Sequence, residues 1–379
     1  MAYREGAAEL ELGEGFFRPA SRPSRDLVVL LSAWLAQQGG SPPRLLDAMA
    51  GSGIRGLRCG LEAGAAAVWV NDADPDRLSL LERNLAPLQE RGVELRCTAL
   101  TAQALLAGCL IRQERFALVD LDAFGCPSAL VPLAVEAVAF GGVLVLASTD
   151  GRSPTGHDRP AAVRLLGAAA RAHPASWELA LRLQLGVIAR AAWAQGRGLR
   201  PLLSFSEGRT FRTAVQILRR PPAGQEEALG LLTFCHGCGD QQAQSLLRLR
   251  GWAACPCGAE APPAAISGPL WLAGLQHAPT LGELRALAPS LPLEPATLRL
   301  LERLEADPAE VPRCWPLAEI ARRLGGGPPR LEVLAEALRG AGHGAWSSGV
   351  MAGQLRSDAP WPAVLATAAA LTANRDAAR

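Results

Sequence analysis

The sequence predicts an α/β chain. A Rossmann-like, mostly parallel sheet is closed by an antiparallel hairpin, and a smaller, mainly helical C-terminal domain carries a knuckle-like cysteine cluster. Three observations predict this. Apolar strands alternate with helical segments from Leu45 to Ala147, the pattern of a parallel sheet covered on both faces. The first strand runs into a glycine turn, Gly51-Ser52-Gly53, and Asp72 stands about twenty residues on, as in a nucleotide-binding βαβ unit. Four of the nine cysteines fall together beyond Arg219-Arg220-Pro221-Pro222, a proline-rich boundary that divides the chain into 1–222 and 223–379.

Composition narrows the class. A chain of 379 residues, 49% hydrophobic, has room for two or three domains with full cores and is globular. The net charge of +2 by itself selects no nucleic-acid partner. Lys is absent, so any phosphate contact falls to planar Arg forks. No apolar run reaches membrane-spanning length, and Met1-Ala2-Tyr3-Arg4-Glu5 lacks a secretory-signal core. A cytoplasmic location away from the membrane is expected, and no feature indicates a protein partner. An odd number of cysteines, four of them clustered, favours a reduced compartment and a metal site over a disulfide framework.

The elements follow in order. Residues 1–24 are mixed and rich in turn formers, with Phe16-Phe17-Arg18-Pro19 supplying two aromatics. Arg25-Asp26 opens an apolar helix, Leu27 to Ala36. Leu45-Leu46-Asp47 is the first strand, and a helix from Ile54 to about Gly64 follows the glycine turn. Ala67 to Asn71 is the second strand, closed by Asp72. Asp74-Pro75 starts the next helix, Pro suiting a first helical turn. Val93 to Cys97, Phe116 to Asp122 and Val143 to Ala147 are further strands, with a helix from Ala134 to Phe140 ended by Gly141-Gly142. Residues 176–195 form a long helix. Residues 202–206 and 211–218 form a hairpin around Gly208. Residues beyond 222 read as mostly helical.

Ligands of such a sheet sit beyond the carboxyl ends of its strands. Asp47, Asp72, Asp120, Asp122 and Asp150 all fall at such ends. Acids there can simply cap helices, and a lone G-x-G can be an ordinary turn; five acids at one rim exceed what capping needs. Asp72 could accept hydrogen bonds from both ribose hydroxyls of an adenosine-type cofactor. In Asp120-Leu121-Asp122-Ala123-Phe124-Gly125 the two acids alternate and share a strand face. A carboxylate at Asp122 can accept a hydrogen bond from an amine and take its proton. Phe124 beside it offers a flat face for a base. The plain alternative is a capping acid beside a core Phe, with Phe16 as an anchor for the leader.

These residues resemble the tRNA (guanine-N2)-dimethyltransferases that act on guanine 26. Phe16-Phe17-Arg18-Pro19 and Ser24-Arg25-Asp26-Leu27 look like the family's F-Y-N-P and N-R-D-L signatures, and Asp120 to Gly125 looks like its D-L-D-P-F-G. Gly51-Ser52-Gly53-Ile54-Arg55, Asn71-Asp72, Thr149-Asp150, Pro201 to Ser206, Gly268 to Leu272 and Arg356 to Pro360 fit in order and spacing. The resemblance implies a class I methyltransferase domain in 1–222, S-adenosyl-L-methionine as cofactor, and a tRNA-binding domain in 223–379. It implies Asp122 as the group acting on guanine N2, with Phe16 and Phe124 sandwiching the flipped base. It implies a cofactor pocket built from Arg25, Asp47, Gly51, Gly53, Arg55, Asp72, Thr101, Ala102 and Asp120, with Arg25 pairing with the methionine carboxylate. Arg248, Arg250 and Arg356 are expected to help hold the tRNA body.

Three departures stand out. Thr101 replaces the family's acid after the third strand, Ala123 replaces the Pro of D-P-F-G, and Ser24 replaces the Asn before Arg-Asp. None removes a group the chemistry needs. Action on another RNA amine, or RNA binding without catalysis, are the alternatives. Cys235, Cys238, Cys255 and Cys257, two pairs about sixteen residues apart, resemble a structural zinc knuckle. The tight C-x-C of the second pair could strain tetrahedral geometry, and His236 could substitute for a ligand. The remaining five cysteines read as small apolar residues.

Overall fold

The protein is described by a computed structural model covering residues 2–258, 262–307 and 309–377. The leader forms an antiparallel hairpin, β1 (Ala2–Glu5) and β2 (Ala8–Glu11), followed by helix α1 (Arg22–Gly39). The sequence reading missed the hairpin because its residues are largely polar. It is held from outside: the Asn84 side chain bonds both the N–H and the C=O of Glu11, at 3.0 and 2.8 Å. Helix α1 starts at Arg22, earlier than expected, because Pro23 suits the first turn.

The alternating segment runs β3 (Arg44–Asp47), α2 (Ile54–Glu62), β4 (Ala67–Asn71), α3 (Leu78–Glu90), β5 (Glu94–Thr98), α4 (Ala102–Ile111), β6 (Phe116–Ala123), α5 (Val131–Ala137) and β7 (Val138–Ser148). Then come α6 (Arg159–Leu166), α7 (Ser176–Ala194), β8 (Gly198–Glu207) and β9 (Thr210–Leu218). They form a seven-stranded sheet in the order β5-β4-β3-β6-β7-β9-β8. The first five strands are parallel, and β9 and β8 add antiparallel, as the predicted hairpin requires. One expectation fails: residues 138–140 are strand, not helix. Val138 pairs with Phe116, and the register then shifts so that Gly141-Gly142 bulges before Val143 pairs with the sheet at Leu118.

The C-terminal half contains more sheet than expected. Strands β10 (Leu229–Phe234), β11 (Gln241–Ser245) and β12 (Ala265–Trp271) form one small sheet, and β12 lies along α7. Helices α8 (Ala278–Leu287) and α9 (Pro295–Glu305) follow. Then β13 (Cys314–Pro316), α10 (Leu317–Leu324), α11 (Leu331–Gly340), β14 (Ala345–Ser347), β15 (Gln354–Ser357) and α12 (Trp361–Ala377) complete the chain. The three short strands make a second sheet, in the order β13-β15-β14.

Packing runs across residue 222. Leu281, Leu284, Leu300, Leu301 and Leu304 of α8 and α9 share one core with Leu27, Leu30 and Leu31 of α1. Asp26 inside α1 accepts hydrogen bonds from Thr297 Oγ1 at 2.7 Å and from the Glu294 N–H at 2.9 Å. A second tie is ionic and fully buried. Glu178 on α7 pairs with Arg182 and Arg356, and Arg356 also reaches Asp307 at 2.8 Å. This corrects the expectation for Arg356, which is buried in the frame and is not available to RNA. No helix among the described residues is long and apolar enough to cross a membrane.

Candidate active site

The site opens where β3 ends. The chain is fixed there by backbone bonds from Ala48 N–H to Asp120 O (3.0 Å) and from Ala50 N–H to Asn71 O (2.8 Å). Gly51 and Gly53 turn the chain with φ of 57° and 79°, in the left-handed region that favours glycine. A Cβ on Gly53 would meet Leu85 Cδ1 at 2.5 Å, whereas one on Gly51 would meet nothing. Gly53 is thus demanded by packing, and Gly51 leaves an open cradle. Asp72 Oδ2 accepts the Gly51 N–H at 2.9 Å, and Asp72 Oδ1 accepts the Asp74 N–H at 3.0 Å. Asn71 ties the Gly loop to the loop after β5, donating to Ala48 O and Leu100 O.

Between these loops lies a cavity of about 600 Å³. Gly51, Arg55, Asp72, Ala102, Asp122 and Arg212 line it, together with Thr149, Thr210 and the exposed Phe16 and Phe124. That is the size and place of a nucleotide-type ligand site in an open α/β sheet. Thr101 stands behind Ala102 as the N-cap of α4, its hydroxyl accepting the Ala104 N–H at 3.3 Å. No acid stands at 101.

The acids separate into two layers. Asp122 faces the cavity; Asp47 and Asp120 are buried behind it. Burial alone would raise the Asp122 carboxyl, but the Arg55 and Arg212 guanidiniums outweigh it and hold it at about 2. Both arginines meet the same oxygen, Oδ2, with Arg212 at 3.3 Å. Asp120 lies 3.1 Å from Arg55 Nε, and burial pushes its carboxyl up to about 6. Asp47 is fully buried, and burial together with the neighbouring Asp120 carboxylate drives its carboxyl well up. Asp120 therefore supports Arg55 from below, and neither Asp47 nor Asp120 lines this cavity.

Arg25 also departs from expectation. It borders the cavity, but its guanidinium is locked onto buried Glu5 at 2.6 Å and donates to Arg18 O and Pro19 O. Glu5 in turn bonds Arg58 at 2.8 Å. Arg25 thus shapes the leader that carries Phe16. Sequence reasoning missed Glu5 and Arg212; the one available signal was a charged residue among the apolar positions of Phe211-Arg212-Thr213.

Phe16 and Phe124 are each 76% exposed, and their ring centroids lie 5.6 Å apart. The loop carrying Phe124 is pinned despite Ala123. Gly125 N–H donates to Thr149 Oγ1 at 2.7 Å, and Ser148 Oγ donates to Gly125 O at 3.0 Å.

Comparison with known proteins decides the family. The model of the N2,N2-dimethylguanosine tRNA methyltransferase family matches residues 10–369. The chain belongs to this family. A tRNA (guanine(26)-N(2))-dimethyltransferase of Methanosphaerula palustris is 31% identical over 362 residues, 94% of this chain and 91% of the relative. One of Thermococcus kodakarensis is 30% identical, over 96% of this chain and 97% of the relative. The solved structure of Trm1 from Pyrococcus horikoshii with S-adenosyl-L-methionine superposes with a TM-score of 0.84 at 26% identity, covering 97% of this chain and 99% of that one.

This family member also brings the four predicted cysteines together. The Sγ atoms of Cys235, Cys238, Cys255 and Cys257 all lie within 4.8 Å of one another. Cys235–Cys257 and Cys238–Cys255 are 3.8 and 3.4 Å apart. Four thiolates about 2.3 Å from a tetrahedral zinc stand about 3.8 Å apart. The four thiols therefore fit a zinc ion, and C-x-C accommodates it. His236 is turned away against Phe234. Two indoles seat the cluster: Trp361 Nε1 donates to Cys238 O at 2.6 Å and Trp315 Nε1 to Gly239 O at 2.8 Å.

Proposed function

We infer that the chain is a tRNA (guanine26-N2)-dimethyltransferase that uses S-adenosyl-L-methionine and acts on the exocyclic amine of a guanine flipped out of the tRNA. The observation that carries the reading is Asp122, ionised at the inner wall of a nucleotide-sized cavity with two exposed phenyl rings at its mouth. The residues fit the cofactor. Asp72 stands at the end of β4 as a ribose acceptor, the open cradle at Gly51 admits a close ligand, and Arg55 and Ala102 line the same space.

S-adenosylmethionine, when bound, supplies an electrophilic methyl group. The chain's own residues do the rest. Arg55 and Arg212 hold Asp122 charged and fix its orientation through Oδ2. Its other oxygen is then placed to accept a hydrogen bond from the guanine amine. That contact directs the amine, a poor nucleophile whose lone pair is delocalised, and positioning of this kind supplies much of the rate. Once substituted, the nitrogen becomes strongly acidic, so even a carboxylate held near 2 can take its proton. Phe16 and Phe124 offset the cost of base extrusion by stacking.

Residues 223–379 serve as the tRNA-binding part, with Arg248 and Arg250 exposed on it, and the fused packing keeps it in fixed register with the site. Five isolated thiols and one four-cysteine cluster suit a reducing cytoplasm. Incubation with labelled cofactor and unmodified tRNA, followed by nucleoside analysis, tests the reading. Expected are N2-methylated and N2,N2-dimethylated guanosine from position 26. Label in another nucleoside, or none, would overturn it.

A further inference from the structure

The arginines around the cavity fall into two groups. Those inside are already committed: Arg25 to Glu5, Arg55 to Asp120 and Asp122, and Arg212 to Asp122 and Glu207. Those outside are Arg18, Arg152 and Arg209, each exposed. Among the described residues, no carboxylate lies within ion-pair distance of any of the three. Arg18 lines the cavity mouth two residues after Phe16. Arg209 sits at the β8–β9 turn, next to the cavity-lining Thr210. Arg152 lies just beyond Thr149, also a lining residue. The turn and the loop touch, since a Cβ on Gly151 would lie 3.0 Å from Cβ and Cδ of Arg209.

We propose that Arg18, Arg152 and Arg209 form a cationic lip that grips the backbone phosphates flanking the flipped nucleotide. The proposal rests on reading the chain as an RNA methyltransferase and deepens it. Three segments distant in sequence carry these arginines, one lining the cavity and two close to its lining residues Thr149 and Thr210, and among the described residues none of the three guanidiniums has a counter-ion. Arg248, in residues 223–379, contrasts with them: it is exposed but paired with Glu227 at 2.6 Å. A planar guanidinium fork matches a phosphate bidentately. Turning a base out rotates its backbone, and phosphate contacts fix register in such complexes. An acidic protein would satisfy the charges as well, but it would leave the two exposed phenyl rings that line the same cavity without a flat partner. The lip places phosphate contacts on the methyltransferase half itself, beside the chemistry, in addition to any made by residues 223–379.

The test combines Arg152→Ala and Arg209→Ala in the full-length protein and leaves Arg18, which borders the cofactor cavity, unchanged. tRNA affinity is measured against salt concentration, with KM for tRNA, calorimetric affinity for S-adenosylmethionine and Tm. Each phosphate contact contributes about 0.7–0.9 to the slope of log affinity against log salt. The slope should become shallower by about 1.4–1.8, and KM for tRNA should rise tenfold or more, with cofactor affinity and Tm unchanged. A wild-type slope and KM in the double variant would overturn the lip while leaving the functional reading intact. Failure of the wild-type protein to methylate tRNA would instead overturn that reading.

Discussion

Phe16 and Phe124 meet edge to face, centroids 5.6 Å apart and planes at 77°. A base held flat between two rings needs roughly 7 Å between them, one contact distance on each side. The pair as it stands is closed, so the proposed sandwich requires one ring to turn before a guanine enters. Their shared exposure and the short leader around Phe16 make that swing inexpensive.

Removing one ring tests this. Phe124→Ala and Phe16→Ala should each raise KM for tRNA, since a stacked base is worth roughly 1–3 kcal/mol. Cofactor affinity should stay unchanged. Wild-type KM in both variants would exclude the sandwich.

Asp122→Asn keeps the shape and one carbonyl acceptor but loses the charge. Single-turnover methyl transfer at saturating cofactor and tRNA should fall about 10²–10⁴-fold, with near-normal binding. Because Asp122 is held at about 2, the wild-type rate should show no titration of this group between pH 5 and 8. Wild-type transfer by this variant would mean the catalytic role lies elsewhere.

Asp72→Ala should weaken cofactor binding by roughly 1.5–3 kcal/mol, the range for a charged hydrogen bond. Its carboxylate also fixes the Gly51 N–H, so the loop should loosen too. Titration calorimetry that finds unchanged affinity would remove Asp72 from the site.

Glu178 sets an acid limit on stability. Burial would raise its carboxyl, but Arg356 and Arg182 pull it from 4.5 to about 2. A depressed carboxyl stabilises the fold above its unfolded value, and that stability is lost as pH falls from 4.5 toward 2. The contribution is roughly 3 kcal/mol. Glu178→Gln is expected to be less stable at neutral pH and to lose less between pH 4.5 and 3 than wild type in denaturant titrations. Parallel losses would show that this pair does not control the acid limit.

Cys238→Ser with Cys255→Ser should abolish one bound zinc per chain and lower Tm. Tryptophan fluorescence should change with it, because Trp315 and Trp361 hold the cluster backbone. S-adenosylmethionine affinity should not change, since the cavity lies on another part of the chain. Retained zinc by metal analysis would contradict the assignment of these four ligands.

The sequence by itself determined the sheet and the line of the site. Strand apolarity, the turn at Gly51 and Gly53, and acids at strand ends are local patterns, readable because neighbours in sequence remain neighbours in a strand or turn. The four-cysteine spacing is legible for the same reason. Only tertiary structure decided what each charge does. Arg356 looked like an RNA contact, but it lies in the core because Glu178 comes to it from 178 residues away. Arg25 looked like a cofactor ligand, but the β1–β2 hairpin delivers Glu5 to it. Arg212 carried little signal until the antiparallel β9 placed it beside Asp122. A buried charge must find a partner of opposite sign, and which partner it finds depends on how the chain is wound, which no local pattern records.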